Sequence, residues 1–173
     1  EPPELLHRPI HAGAVVLAVQ DLHLARTDPF GVDLVGVHLQ VRAGEVVGIA
    51  GVSGNGQKEL LYALSGEDLR AAPAMVQLAG QNAGQLDPRA RRALGLHFVP
   101  EERLGRGAVP GMALAHNLLL TRSDALGAGG WIRMGQLQAQ ARAIIERFQV
   151  KAAGPQALAQ SLSGGNLQKF IVG

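Results

Sequence analysis

Val46-Val-Gly-Ile-Ala-Gly-Val-Ser-Gly-Asn-Gly-Gln-Lys-Glu-Leu60 is the stretch on which the fold turns. Its first five residues form a short apolar run, the pattern of a strand buried on both faces. Glycines follow at 51, 54 and 56, and Gln57-Lys-Glu-Leu-Leu-Tyr-Ala-Leu64 then reads as a helix, with Leu60, Leu61 and Leu64 on one face and Gly66 as its stop. Strand, glycine loop and helix together aim successive backbone N–H groups and a helix dipole at one small volume, which favours an anion such as a nucleotide phosphate. The spacing follows Gly-x-x-x-x-Gly-Lys-Ser/Thr, in which the lysine pairs with the β and γ phosphates and the hydroxyl binds magnesium. Here Gln57 and Lys58 hold those two places. Gln57 donates a hydrogen bond but brings no positive charge, and Lys58 is no magnesium ligand. The expectation is weakened nucleotide binding and poor or absent hydrolysis at this loop; the alternative is a glycine turn with no ligand.

Working outward, Val15 to Leu24 and Val35 to Arg42 have a period of two, with Val35, Val37, Leu39 and Val41 alternating with Gly36, His38, Gln40 and Arg42. Both read as half-buried antiparallel strands. Val76 to Ala79 and Leu96 to Val99 read as short strands, and Pro88 to Leu94 as a short helix. Past Pro100 the character turns helical. Met112 to Leu120 and Met134 to Phe148 are the two clear stretches, the second with Leu137, Ala141, Ile144, Ile145 and Phe148 at helical spacing. The expected organisation is a linker over 1–13, which holds three prolines, a partial α/β core with an antiparallel subdomain over 14–100, and a helical subdomain over 101–173.

Composition narrows the class. The 173 residues carry 16 Lys and Arg against 14 Asp and Glu, a formal charge of +2 that gives no basis for a nucleic-acid surface. There is no cysteine, hence no disulfide or thiolate metal site, as fits a reducing compartment such as the cytosol. No apolar run approaches the roughly 20 residues of a membrane helix, so a link to a membrane would run through a partner. The first residue is Glu, and the last helix has barely begun at Gly173, as expected of a fragment of a longer protein. The histidines at 7, 11, 23, 38, 97 and 116 lack metal-ligand spacing, and Arg89, Arg91 and Arg92 read as a solvated helix face.

A second glycine loop, Ser161-Leu-Ser-Gly-Gly-Asn-Leu-Gln-Lys169, places Ser163 as a helix N-cap with two small residues behind it, leaving backbone N–H groups open to a phosphate. With the first loop before it, this resembles the Leu-Ser-Gly-Gly signature of ABC-transporter ATPases, in the Leu-Ser-Gly-Gly-Asn form of sugar and nucleoside importers. The resemblance runs from about Val15 to Gly173. Phe98-Val-Pro-Glu-Glu-Arg103 stands where that family carries its Q-loop and resembles a Pro-Glu-Asp-Arg variant of the second ATPase half. Gly-Asn-Gly-Gln before Glu59 and Leu60 looks like the degenerate loop of such second halves.

The resemblance implies a P-loop NTPase core of ABC type, with an antiparallel β subdomain and an inserted helical subdomain, truncated after the signature. Two halves would lie head to tail, each nucleotide sandwiched between one half's phosphate loop and the other's signature. Gly51, Ser53, Gly54, Asn55, Gly56, Gln57 and Lys58 would line the degenerate site. Ser163, Gly164, Gly165 and Asn166 would face the γ-phosphate held by the other half. Glu101 occupies the Q-loop position, although its charge beside phosphate speaks against the usual glutamine role, and a solvated carboxylate beside Arg103 is the alternative. Phe30 is a weak counterpart for the aromatic that stacks on adenine. In this family the catalytic glutamate, the acidic strand end and the switch histidine follow the signature, so no catalytic residue is expected within 1–173, and no metal ligand. The implied cofactors are ATP and Mg2+, the latter weak or absent at this loop. The implied partners are a second ATPase half and transmembrane permease subunits, with the helical region around Met112, Leu114, Leu118 and Leu119 as docking surface. That places the protein at the cytoplasmic face of the membrane. Two rivals stand beside this reading: a scaffold that binds transporter partners without hydrolysing nucleotide, and another phosphate-loop enzyme such as a small kinase, which leaves Leu-Ser-Gly-Gly unexplained.

Overall fold

The computed structural model describes residues 13–128 and 131–173. The expected linker, apart from its last residue, lies outside them. The chain divides into two compact units, the first ending at Phe98 and the second running Val99–Gly173.

In the first unit, β1 (Val15–Leu24) and β2 (Leu34–Arg42) pair antiparallel, and β3 (Val76–Leu78) and β4 (Gln81–Asn82) extend the sheet in the order β2-β1-β3-β4. The strands alternate as the period of two requires, but not without interruption. Val19 and Leu22 are both buried although three positions apart, because the register shifts between them and Asp21 takes a positive φ of 49°. That bulge resets the pleat so that Leu22 and Leu24 return to the core. On β2, Gly36 has φ 61°, and the register shifts again between Leu22 and Leu24. Val35 is consequently 72% exposed, against the expectation from its alternation, and Leu34 is buried in its stead.

Helix α1 (Gln57–Ser65) packs Leu60, Ala63 and Leu64 into the cluster formed by Val19, Leu22, Leu24 and Leu34. Leu61, expected on that face, is exposed. Gly56 and Gly66, both left-handed, bound the helix, and the Gly66 N–H reaches the Tyr62 carbonyl. A Cβ on Gly66 would lie 2.7 Å from the Leu86 carbonyl oxygen, so glycine is required there twice over, by conformation and by space. Asp87 caps α2 (Pro88–Ala93) by accepting from the Ala90 N–H at 2.7 Å.

Further expectations fail. Val46–Ala50 and Leu96–Val99 form no strand; Val46 is 93% exposed, and Ile49, Val52 and Val99 are exposed as well. A strand buried on both faces exists only with a hydrogen-bonded neighbour on each edge, and no such ladder forms among the described residues. Arg91, read as part of a solvated face, is fully buried. Its guanidinium donates to the carbonyls of Ala63 and Leu64 at the end of α1, and to those of Leu86 and Gly84. Burial pulls its pKa below the usual arginine value.

The second unit has its own core. Helix α3 (Leu114–Leu126), which breaks helical geometry at Arg122, is followed by β5 (Gly127–Ala128) and β6 (Trp131–Ile132), then α4 (Met134–Arg147) and α5 (Gly164–Val172). Leu114, Ala115 and Leu118 of α3 share one cluster with Leu137, Ala141 and Ile144 of α4 and Leu167 and Phe170 of α5. The α4 residues are those its spacing predicts. Helix α3 begins two residues later than expected because Asn117, buried on it, holds residues 109–113 in a loop, accepting from Val109 N–H and donating to the Met112 and Ala113 carbonyls. Among the described residues no helix is long and apolar enough to cross a membrane.

Candidate functional site

The first loop is arranged as its glycines dictate. Gly54 and Gly56 have φ of 87° and 93°, values that side chains resist, and residues 51–55 face solvent. The loop is nevertheless engaged with itself. Gln57 donates through Nε2 to the Val52 carbonyl at 2.9 Å and accepts at Oε1 from the Asn55 N–H at 3.0 Å, while Asn55 Nδ2 reaches the same carbonyl at 3.1 Å. The Asn55 N–H is one of the donors that an anion in the loop would need, and Gln57 has taken it. Gly51 makes room for this, since a Cβ there would lie 2.5 Å from Gln57 Nε2.

Lys58 points elsewhere: its Nζ lies 5.5 Å from the centroid of the Tyr62 ring, a cation–π contact. With an ammonium at the position where a hydroxyl would bind magnesium, the donor set here does not fit that ion. Ser53 is exposed in the turn. Glu59, which sequence reasoning passed over, accepts from the Val32 N–H at 3.4 Å, and its carboxylate in the first turn of α1 offsets the positive end of the helix dipole. Phe30 is 96% exposed, its N–H bonded to Asp28.

In the second unit, Ser163 stands at the N-cap of α5, as its sequence context predicts. Its side chain makes no capping bond to the helix. Instead its Oγ accepts from Asn166 Nδ2 at 2.9 Å, and Asn166 Oδ1 accepts from the Lys151 N–H at 2.9 Å. Ser163, Gly164 and Gly165 are all exposed. Arg103 lies over the first of the glycines, Nη1 being 3.0 Å from where a Gly164 Cβ would stand. Glu101 is exposed.

Gly165 is the most telling of these residues. A Cβ on it would meet no heavy atom within 4 Å, and its φ is not positive. Glycine in a helix costs about 1 kcal/mol relative to alanine, yet nothing in the chain's own packing requires it here. The backbone at the start of α5 is thus left open at Gly165. Gly165→Ala is therefore expected to stabilise the protein by about 0.5–1 kcal/mol, read by chemical unfolding.

A glycine loop delivering backbone donors to a helix start, on a mixed α/β unit followed by helices, defines the class of P-loop nucleotide-binding domains. The family model for ABC transporters matches residues 34–172, and the chain belongs to that family. It is 41% identical over 156 residues to a glucose import ATP-binding protein of Haloferax volcanii, covering 87% of this chain and 28% of the relative. It is 34% identical over 160 residues to a nucleoside import ATP-binding protein of Lactococcus lactis, covering 91% and 31%, and 35% identical over 170 residues to a guanosine import ATP-binding protein of Bacillus subtilis, covering 96% and 32%. The chain thus spans about a third of the length of these curated relatives.

Proposed function

We propose that this chain is the second nucleotide-binding half of an ABC importer ATPase of the sugar or nucleoside type. In this reading ATP binding draws two halves together, and hydrolysis resets the permease subunits that carry the solute. The assembly sits at the cytoplasmic face of the membrane through those permeases. Ser163, Gly164, Gly165 and Asn166 serve the ATP and Mg2+ held by the first half. The chain's own loop, Gly51 to Lys58, is a degenerate site that contributes little hydrolysis. The observation that carries the reading is the open start of α5, where Ser163, Gly164 and Gly165 are all exposed and a Cβ on Gly165 would meet no heavy atom within 4 Å. Names of the relatives, which include glucose, nucleoside and guanosine import, support the solute class.

One observation favours the scaffold reading for the first loop alone: Gln57 occupies the cradle with its own amide. Gln57→Lys restores a cation there. A charge-assisted contact to phosphate is worth about 1.5–3 kcal/mol, so tightening of roughly 10- to 100-fold in ATP affinity is expected at this loop, seen as a second nucleotide bound per tandem protein.

The deciding experiment measures ATP turnover of the full tandem protein with its permease for Gln57→Ala and Ser163→Arg separately. Loss for Ser163→Arg with little change for Gln57→Ala supports a signature acting in trans. Unchanged turnover in Ser163→Arg removes it and leaves the scaffold.

A further inference from the structure

We infer that Asn166 is a positioning residue for Ser163, locking the serine hydroxyl as an outward hydrogen-bond donor toward a terminal phosphate oxygen, an inference that rests on the trans-signature reading above. Hydrogen-bond polarity carries the argument. A backbone N–H only donates, so the atom 2.9 Å from the Lys151 nitrogen is the amide oxygen of Asn166. That fixes the other end of the side chain as Nδ2, which also only donates, 2.9 Å from Ser163 Oγ. Ser163 Oγ therefore accepts from Asn166, and its own proton is left for a different acceptor.

An N-cap hydroxyl accepts from helix N–H groups, so the start of α5 offers that proton no acceptor, and Ser163 is exposed. An oxygen that accepts one hydrogen bond becomes a better donor in the next, so the amide also polarises the hydroxyl it orients. The proton is therefore free to turn outward at the start of α5, beside Gly164 and Gly165, the place where a phosphate oxygen of the other half would arrive.

The anchor behind the amide is firm. Helix α4 ends in a turn with Gln149 at φ 50°, closed by the Val150 N–H on the Ile145 carbonyl at 2.9 Å and the Gln149 N–H on the Glu146 carbonyl at 3.2 Å. Val150 is buried in the core of the unit. The next residue presents the Lys151 N–H. Ser163 is thus set by a relay from the end of α4, through one amide, to the start of α5. Asn166 was expected to face phosphate itself; its oxygen and one of its two amide protons take part in this relay.

The test is a double-mutant cycle on ATP turnover in the full-length protein with its permease, using Ser163→Ala, Asn166→Ala and the pair. Asn166→Ala is expected to lower kcat about 10-fold with KM for ATP within about twofold, and to cost under about twofold when Ser163 is already alanine. Asn166→Asp keeps the acceptor for the Lys151 N–H but turns the serine proton inward, toward its carboxylate. It should unfold at the wild-type temperature and lose kcat as Asn166→Ala does. Additive losses in the cycle, or wild-type turnover in Asn166→Asp, would overturn the relay. An inert Ser163→Ala would point instead to failure of the trans-signature reading itself.

Discussion

Ser163→Arg is expected to reduce ATP turnover of the full transporter about 100-fold or more, the scale of removing a preorganised donor from a site of developing charge. Two effects add. The substitution removes the hydroxyl that Asn166 holds, and it places a long side chain on an exposed N-cap followed by two glycines whose smallness leaves the helix start open. The added positive charge is attractive to phosphate, so a weak ground-state effect on nucleotide binding is compatible with a large loss of kcat. Stability should change little. Ser163 is exposed and its side chain caps no helix N–H, so its replacement costs at most a few tenths of a kcal/mol beyond the Asn166 contact. A steady-state phosphate-release assay on membranes, paired with an unfolding curve, separates lost chemistry from lost fold.

Arg91→Met is expected to have the largest effect on stability, a loss of about 3 kcal/mol. Methionine fills much of the arginine's volume, so the loss comes from polarity and not from a cavity. Four carbonyls, of Ala63, Leu64, Leu86 and Gly84, lose their donor in a place that water does not reach. Two of these end α1, where the negative end of the helix dipole makes a cation worth more than elsewhere. Relief of the buried charge offsets part of the cost, which keeps the expectation below the sum of four broken bonds. Arg91→Lys should recover little, because an ammonium cannot spread donors across four acceptors as a planar fork does. Denaturant titration followed by circular dichroism checks both variants, and a midpoint unchanged in Arg91→Met would mean the guanidinium is in water.

How far the sequence could be read follows from where each element finds its partners. Periodicity exposed α1, α4, β1 and β2 because each carries its apolar face within its own span. Val46–Ala50 and Leu96–Val99 have the composition of central strands, but a ladder depends on neighbours that composition cannot supply. The bulges at Asp21 and Gly36, which exchange Val35 for Leu34, leave only a slip in alternation as their trace. Arg91 was hidden by its company: beside Arg89 and Arg92 it looks like surface, and only the carbonyls of a helix 27 and 28 positions earlier make it core. For the site, glycine spacing gave the two loops and the N-cap at Ser163. The directions of the Gln57 and Asn166 amides were not legible, since an amide shows its polarity only once its partners are fixed.

The bonds of Gln57 close within residues 52–57, and those of Ser163 within 151–166. Each loop is therefore wired locally, on a core of its own unit. Short, self-contained wiring of this kind makes a loop portable: residues 51–57 would carry their internal bonds with them if grafted onto another strand-to-helix junction.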